Sequence, residues 1–493
     1  MTRFRAAPLV LAAFATALSG CGSRGDSGPV NVAIIGEPET LEQQGVRLAP
    51  AAQAVRAASH EGLVAMGPSG EIVPALAERW IVTDDGLSYI FRIRNTQWPD
   101  GEPVTARDIR TLLRDTFRRL EGTSLGLDLA KVTEIRAMTG RVVELRLSAP
   151  MPEFLRLMAQ PELGFVRNGA GEGPMLAERD EDTGILRLTA LPPEQRGLPA
   201  LREGEDGGRP VDIRALPAQA AVDAFTRGQV DLVLNGRLTD FPLAEVGTLS
   251  RGAIQVDPAL GVLGLVFRND DGLLGDVARR EALSMALDRE ALIQPFGLGG
   301  WQPTTWIVPP SQFTTAPYPA TRWDASTLEE RRATAARRIA QWRTQSGAEA
   351  VVRVALPEGP GSDILFDQLA AQWSRIGVQA VRAESGTAAD LELRDRLARY
   401  SSPRWFLNQF NCELTNGPCS PEADAQVRAS LRVSDQLDKE LAYAQAHRAL
   451  VDQEVYIPLG APVRWSLVRG LGTAYLPNQW GLHPLFPLSQ PTT

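Results

Sequence analysis

Histidine is nearly absent from this chain: His60, His447 and His483 are the only three in 493 residues. No HExxH helix occurs, no CxxC pair and no phosphate-cradling GxxxxGK[ST] loop. The zinc, thiol-redox and P-loop chemistries that need those patterns are therefore not indicated. No metal, no cofactor and no catalytic residue is nominated by these patterns. Lysine is scarcer still, with only Lys131 and Lys439. Nearly all positive charge is arginine, whose planar fork suits carboxylates. Basic residues number 51 and acidic ones 59, for a formal charge of −8. An acidic surface argues against nucleic acid and anionic lipid headgroups as partners. Past the first twenty residues, no stretch is apolar enough to span a bilayer.

What is present begins with a targeting segment. "MTRFR" is basic, and the apolar "AAPLVLAAFATAL" after it is too short for a stable membrane anchor but fits a secretory signal. "LSGC", Leu18 to Cys21, resembles the bacterial lipobox, in which cleavage precedes the cysteine and its thiol carries a diacylglycerol. A plain signal peptide with a chance cysteine is the alternative. The expectation is a signal over 1–20, lipidation at Cys21 and a tether over 21–29. Export makes the other two cysteines meaningful. Cys412 and Cys419, seven apart, are expected to close a local disulfide loop with Asn-Gly at its tip. Metal binding is the weaker reading, because no histidine is close in sequence.

Strand and helix signals alternate, which indicates an α/β fold. "LSYIFRIR" puts Leu87, Tyr89, Phe91 and Ile93 on one face, a period of two. "WPDG" stops that strand, because Pro99 cannot donate to a ladder and Asp-Gly favours a turn. Thr105 and Asp108 then read as a capping box opening a helix with Leu112, Leu113, Phe117 and Leu120 on its apolar stripe. "AAVDAFTRGQVDLVLNG" reads as helix, glycine stop and strand, and "DVARREALSMALDREALI" as one amphipathic helix. Within 351–383 a strand–helix–strand pattern predicts a parallel βαβ unit. His60 is expected in a helix, and His447 on the solvated face of another.

One motif tests the alternative of an exported serine hydrolase. "GTSLG", Gly122 to Gly126, matches G-x-S-x-G and would make Ser124 a nucleophile on a strand-to-helix turn. The preceding segment reads as a helix, so Ser124 is expected in a loop after it.

Several segments together resemble the bacterial extracellular solute-binding proteins of the peptide/nickel class, family 5. The carriers are "PALAERW" (Pro74–Trp80), the Asp85–Gly86 hairpin and the Asp100–Asp108 corner, then "RGQVDLVLNG", "LAAQWSRIGVQAV" and "AQAHRALVDQEVYIPLG" in family order. The resemblance implies a two-lobe periplasmic binding protein type II fold with an inserted subdomain in the first lobe. The first lobe would comprise 30–69, 172–258 and 466–493, with the insertion at 70–171 and the second lobe at 259–465. It implies an interlobe cleft closed by hinge motion. A peptide-like solute would be held by backbone pairing, with an acid for its ammonium. The matching segments are Arg47, Leu48, Ala49 and Pro50 in the first lobe and "RWFLNQFNCEL" in the second. The latter offers Arg404, Trp405, Phe410 and Asn411 as lining and Glu413 as the acid. Trp301 and Trp306 are candidate walls, with core packing the competing reading. The resemblance also implies ABC permease and ATPase subunits as partners, a monomer, and a periplasmic protein held to the membrane through Cys21. A receptor-like lipoprotein without a transporter is the remaining alternative. "LTNGPC" departs from the family's Asp-Tyr-Pro-Asp run, and Met175 stands where an aromatic is usual.

Overall fold

The computed structural model describes residues 28–202, 208–244, 252–317, 323, 325–384 and 389–490. The signal segment and Cys21 lie outside these residues. Among the described residues no helix is long and apolar enough to cross a membrane.

The chain forms a seven-stranded sheet, a five-stranded sheet and a smaller four-stranded sheet. At the centre of the first is Val30–Ile35, buried at every position except Asn31. A strand sandwiched on both faces needs such an unbroken apolar run. It pairs in parallel with Val211–Leu216 on one side and Leu232–Arg237 on the other. Met175–Asp180 and Ile185–Ala190 extend one edge, and Arg464–Val468 and Ile254–Val256 the other. The second sheet runs Gln379–Ala383, Val351–Ala355, Leu391–Leu397, Gly261–Phe267, Tyr456–Gly460. Its parallel pair, Val351–Ala355 with Gln379–Ala383, flanks helix Pro360–Ser374 as the βαβ pattern predicts.

The four-stranded sheet is antiparallel and lies within 77–147. Helix Ala106–Arg119 packs on it through Ile109 and Leu113. Its start is the expected capping box: the Asp108 N–H donates to Thr105 Oγ1 at 3.2 Å, and the Thr105 N–H donates back to the Asp108 carboxylate at 3.1 Å.

Two local readings change. The helix expected over 276–293 is two helices, Val277–Met285 and Arg289–Ile293. Asp288 breaks it, because its side chain accepts from the Ala291 N–H at 3.1 Å and caps the second piece. Ser124 is not in a loop. It opens a short helix, Ser124–Leu129, capped by Thr123.

The chain passes between the two large sheets twice, through 257–260 and 461–463. The crossings are paired: the Asp257 N–H donates to the Arg464 carbonyl at 2.9 Å. Arg464 then reaches the second sheet and meets Asp395 at 2.8 Å, with the two side chains only 5% and 7% exposed. Arg464 and Trp465, expected in the second lobe, belong to the first sheet, opposite Arg237 and Gly236. Trp465 holds that register because Gly236 leaves room for its ring; a Cβ there would stand 2.1 Å from Trp465 Cε2.

Arg464→Met strands the Asp395 carboxylate in a buried site and should cost about 3–5 kcal/mol, whereas Arg464→Met with Asp395→Leu should recover most of it. Urea unfolding of the three variants checks this double-mutant cycle.

His447 is not on a solvated face but 2% exposed. Burial, and then Arg448, hold its pKa down at about 4. As pH falls from about 6.5 towards 4, the unfolded state takes up a proton that the folded state refuses. Stability is therefore complete above pH 6.5 and should decline by up to about 3 kcal/mol over that window. His60 shifts in the same direction. Urea midpoints between pH 7.5 and 4.5 should show the slope, flattened in His447→Leu.

Candidate functional site

Ligands of open α/β sheets gather outside the carboxyl ends of parallel strands. Here those ends are Ile34, Leu234 and Asn235, with the start of helix Pro50–Ser59 beside them. Asn235 takes a left-handed backbone, φ 68°. Its side-chain amide donates to the Ile35 carbonyl at 2.7 Å, so the two strand ends are tied together. A cavity of about 100 Å³ opens there, lined by Pro50, Gln53, Leu234, Asn235 and His483 among others.

A second cavity, of about 180 Å³, lies between the lobes. Arg237 and Thr239 face it from the first sheet's end; Arg268, Pro357 and residues 392–396 face it from the second. The lobes touch at its edge. Gly359 and Gly361 come so close to 238–239 that a Cβ on Gly361 would stand 2.1 Å from the Leu238 carbonyl oxygen. Two more cavities flank the subdomain. One of about 320 Å³, against the second lobe, includes Lys131, Glu153, Arg404 and Lys439. The other, of about 740 Å³, includes Arg56, His60, Trp98 and Glu172.

The expected binding residues divide. Arg47 is exposed, and Leu48, Ala49 and Pro50 are half-buried, with the Ala49 N–H donating to Gln43 Oε1 at 2.6 Å. Pro50 alone of the four lines one of these cavities. In the second lobe, packing claims the candidates. Trp405 is buried edge-on against Phe406, centroids 5.0 Å apart. Phe410 is buried against Tyr456 at 4.8 Å. Both are core residues: helix Pro403–Asn408 is buried at every position, and Phe410 is buried just past its end. Arg404 does not point to the interlobe cavity; it donates to the carbonyls of Leu127 and Asp128. Asn411 is buried and its Oδ1 accepts from the Glu413 N–H at 2.9 Å, which shapes the loop. Glu413 is exposed and lines none of the four cavities. The loop is closed by a Cys412–Cys419 disulfide, Cα atoms 5.3 Å apart. Trp301 donates to the Ala461 carbonyl at 2.7 Å and so braces a crossing. Trp306 stands 6.2 Å from the ring of His447.

Ser124 lacks a nucleophile's setting. No strand enters its turn, and its Oγ accepts from Arg399 at 3.1 Å. Among the described residues no group of His, Cys, Asp and Glu could hold a metal ion.

The arginines of the interlobe cavity were not among the expected site residues. A signal existed: "LELRDRL" alternates Glu392, Arg394 and Arg396 at a period of two, the mark of a strand with one charged face.

Two mixed sheets, two paired crossings and a cavity between them define a two-lobed binding protein of the periplasmic type II architecture. The chain belongs to the bacterial extracellular solute-binding proteins, family 5, whose middle-region pattern matches residues 71–184 and 207–410. It is similar to the probable di/tripeptide-binding protein 5 of Pseudomonas aeruginosa, 24% identical over 474 residues, 84% of this chain and 86% of the relative. It is 28% identical over 305 residues to the probable deoxycholate-binding periplasmic protein YgiS of Escherichia coli, a match that spans 56% of each. Among solved structures, Haemophilus influenzae OppA in complex with RPPGFSPFR matches with a TM-score of 0.79 at 17% identity, over 94% of this chain and 99% of that one.

Asp128 ties the subdomain to the second lobe. It is wholly buried. It accepts from the Tyr400 hydroxyl at 3.0 Å and from Asn408 Nδ2 at 2.8 Å, with Arg399 at 3.8 Å. Burial pushes its carboxyl up; Arg399 and Arg404 pull it back. Asp128→Ala leaves those partners unsatisfied and should cost about 3–5 kcal/mol. Amide exchange should rise first in 124–129 and 403–408.

Proposed function

We propose that this chain is the substrate-binding receptor of an ABC importer, capturing a peptide-like solute between its lobes and presenting it to the membrane permease. The observation that carries the reading is a cavity formed jointly by both lobes beside two paired crossings. Each lobe then supplies part of the contacts, so ligand shifts the open–closed balance by its extra affinity for the closed form. The di/tripeptide-binding relative and the peptide-bound OppA structure support peptides as the ligand class. In this reading the mature protein is periplasmic, held to the membrane through a lipid on Cys21, monomeric, and partnered by permease and ATPase subunits. Pro50 contributes to the first-lobe wall. Arg404, Trp405 and Phe410 leave the site for structural roles.

Peptides of two to five residues at a hundredfold excess over Kd should stabilise the protein by about 2.7 kcal/mol, read as a rise in melting temperature. No rise across a broad peptide library overturns the peptide assignment.

Gly361→Leu should wedge the lobes apart at Leu238. Ligand affinity should fall roughly tenfold or more, because closure strengthens the bound state. Small-angle scattering should show a ligand-insensitive, more extended particle that still unfolds cooperatively.

A further inference from the structure

Charge in the interlobe cavity does not balance. Four arginines line it, Arg237, Arg268, Arg394 and Arg396, against two acidic residues, Glu392 and Asp395. Both acids are already engaged. Glu392 meets Arg268 at 3.2 Å, and Asp395 meets Arg464 at 2.8 Å. Arg394 donates to the backbone carbonyl of Gln409, and Arg396 to Gln409 Oε1 at 3.3 Å; among the described residues neither has a carboxylate within ion-pair distance. The guanidinium of Arg237 makes no hydrogen bond or ion pair with any described residue. Asp240 and Asp395 act on it only at longer range. Protein on several sides sharpens the imbalance. Burial, with Arg396 next, lowers the pKa of Arg394 to about 10. Burial and then Arg464 lower that of Arg237.

We infer that this cavity is an oxyanion site, in which Arg237 from one lobe and Arg394 and Arg396 from the other take a carboxylate or phosphate group of the transported solute. The inference rests on the receptor reading and narrows its substrate class. It also assigns a role to the charge. Closing the lobes on an empty cavity brings like charges together in a poorly hydrated space, which opposes closure. An oxyanion bridges them, and guanidinium forks hold one bidentately. Closure then depends on the ligand's charge as well as its shape.

The test is calorimetry on the natively purified mature protein, with solutes in anionic and neutral pairs. These are short peptides and their C-terminal amides, succinate and succinamide, and glucose 6-phosphate and glucose. The expected result is that whichever solute binds does so roughly tenfold or more tighter in its anionic form. Arg394→Gln and Arg396→Gln should each remove that preference and leave the neutral partner's affinity alone. Arg396 is exposed, so its variant tests the point even where loss of Arg394 disturbs the fold. Succinate or the sugar phosphate binding where no peptide does would uphold the oxyanion site and overturn the peptide assignment. A peptide acid and its amide binding equally would overturn the oxyanion site and leave the receptor reading standing. Binding of no solute in either form overturns the oxyanion site, and ligand extracted from the native protein then decides the receptor reading alone.

Discussion

Everything between the lobes hangs on two short chain crossings and the buried ion pair that joins them to the second sheet. Arg464 is extended backbone of the first sheet, yet its guanidinium ends on Asp395 of the second. A buried pair of this kind need not add net stability, since desolvation offsets its attraction. It does fix geometry, because neither partner can swing into solvent without leaving the other unpaired. Arg237 pairs with Arg464 along the sheet. The same crossing therefore sets the depth at which Arg237 meets the interlobe cavity. Trp301, bonded to the carbonyl of Ala461, stiffens that same crossing at its other end. The cleft is thus an outcome of how the hinge is pinned.

The subdomain is a third body fastened on two sides. Towards the first lobe, Arg94 meets Glu61 at 2.6 Å, and Arg196 adds a second contact to the same carboxylate at 3.2 Å. Towards the second lobe, Asp128 gathers Tyr400, Asn408 and Arg399, and Arg404 caps the carbonyls at 127 and 128. Ser148 donates to the Leu431 carbonyl at 2.7 Å on the same side. The two fastenings differ in kind. The first is a short, buried charged cluster, whereas the second is a mosaic of neutral and charged bonds.

The fold was legible wherever the pattern was local. A period of two in 87–94, a proline-stopped strand and a Thr-x-x-Asp cap each report on a few neighbouring residues, and the structure forms them in place. Legibility failed where a residue's fate is decided across the chain. Trp465 belongs to the first sheet because Gly236, 229 positions upstream, leaves space for it. Arg404 looked like a cleft residue and is absorbed by carbonyls of the subdomain. Trp405 and Phe410 read equally as lining or core, and only their packing against Phe406 and Tyr456 decides. The cavity's arginines were in plain view as alternating charge, but the cleft they face is built from strands some 160 residues apart.

The scarcity of lysine has a practical meaning. Lys131 and Lys439, the only two in the chain, both line the cavity between subdomain and second lobe, and both are buried. Burial, with Arg404 and Lys439 next, holds the Lys131 amine at about 7, so at neutral pH much of it is an uncharged nucleophile behind a protein wall. Apart from the chain's own amino terminus, amine-directed reagents have no other target. Acylation kinetics would then act as a clock for the breathing of that one seam, without any engineered label.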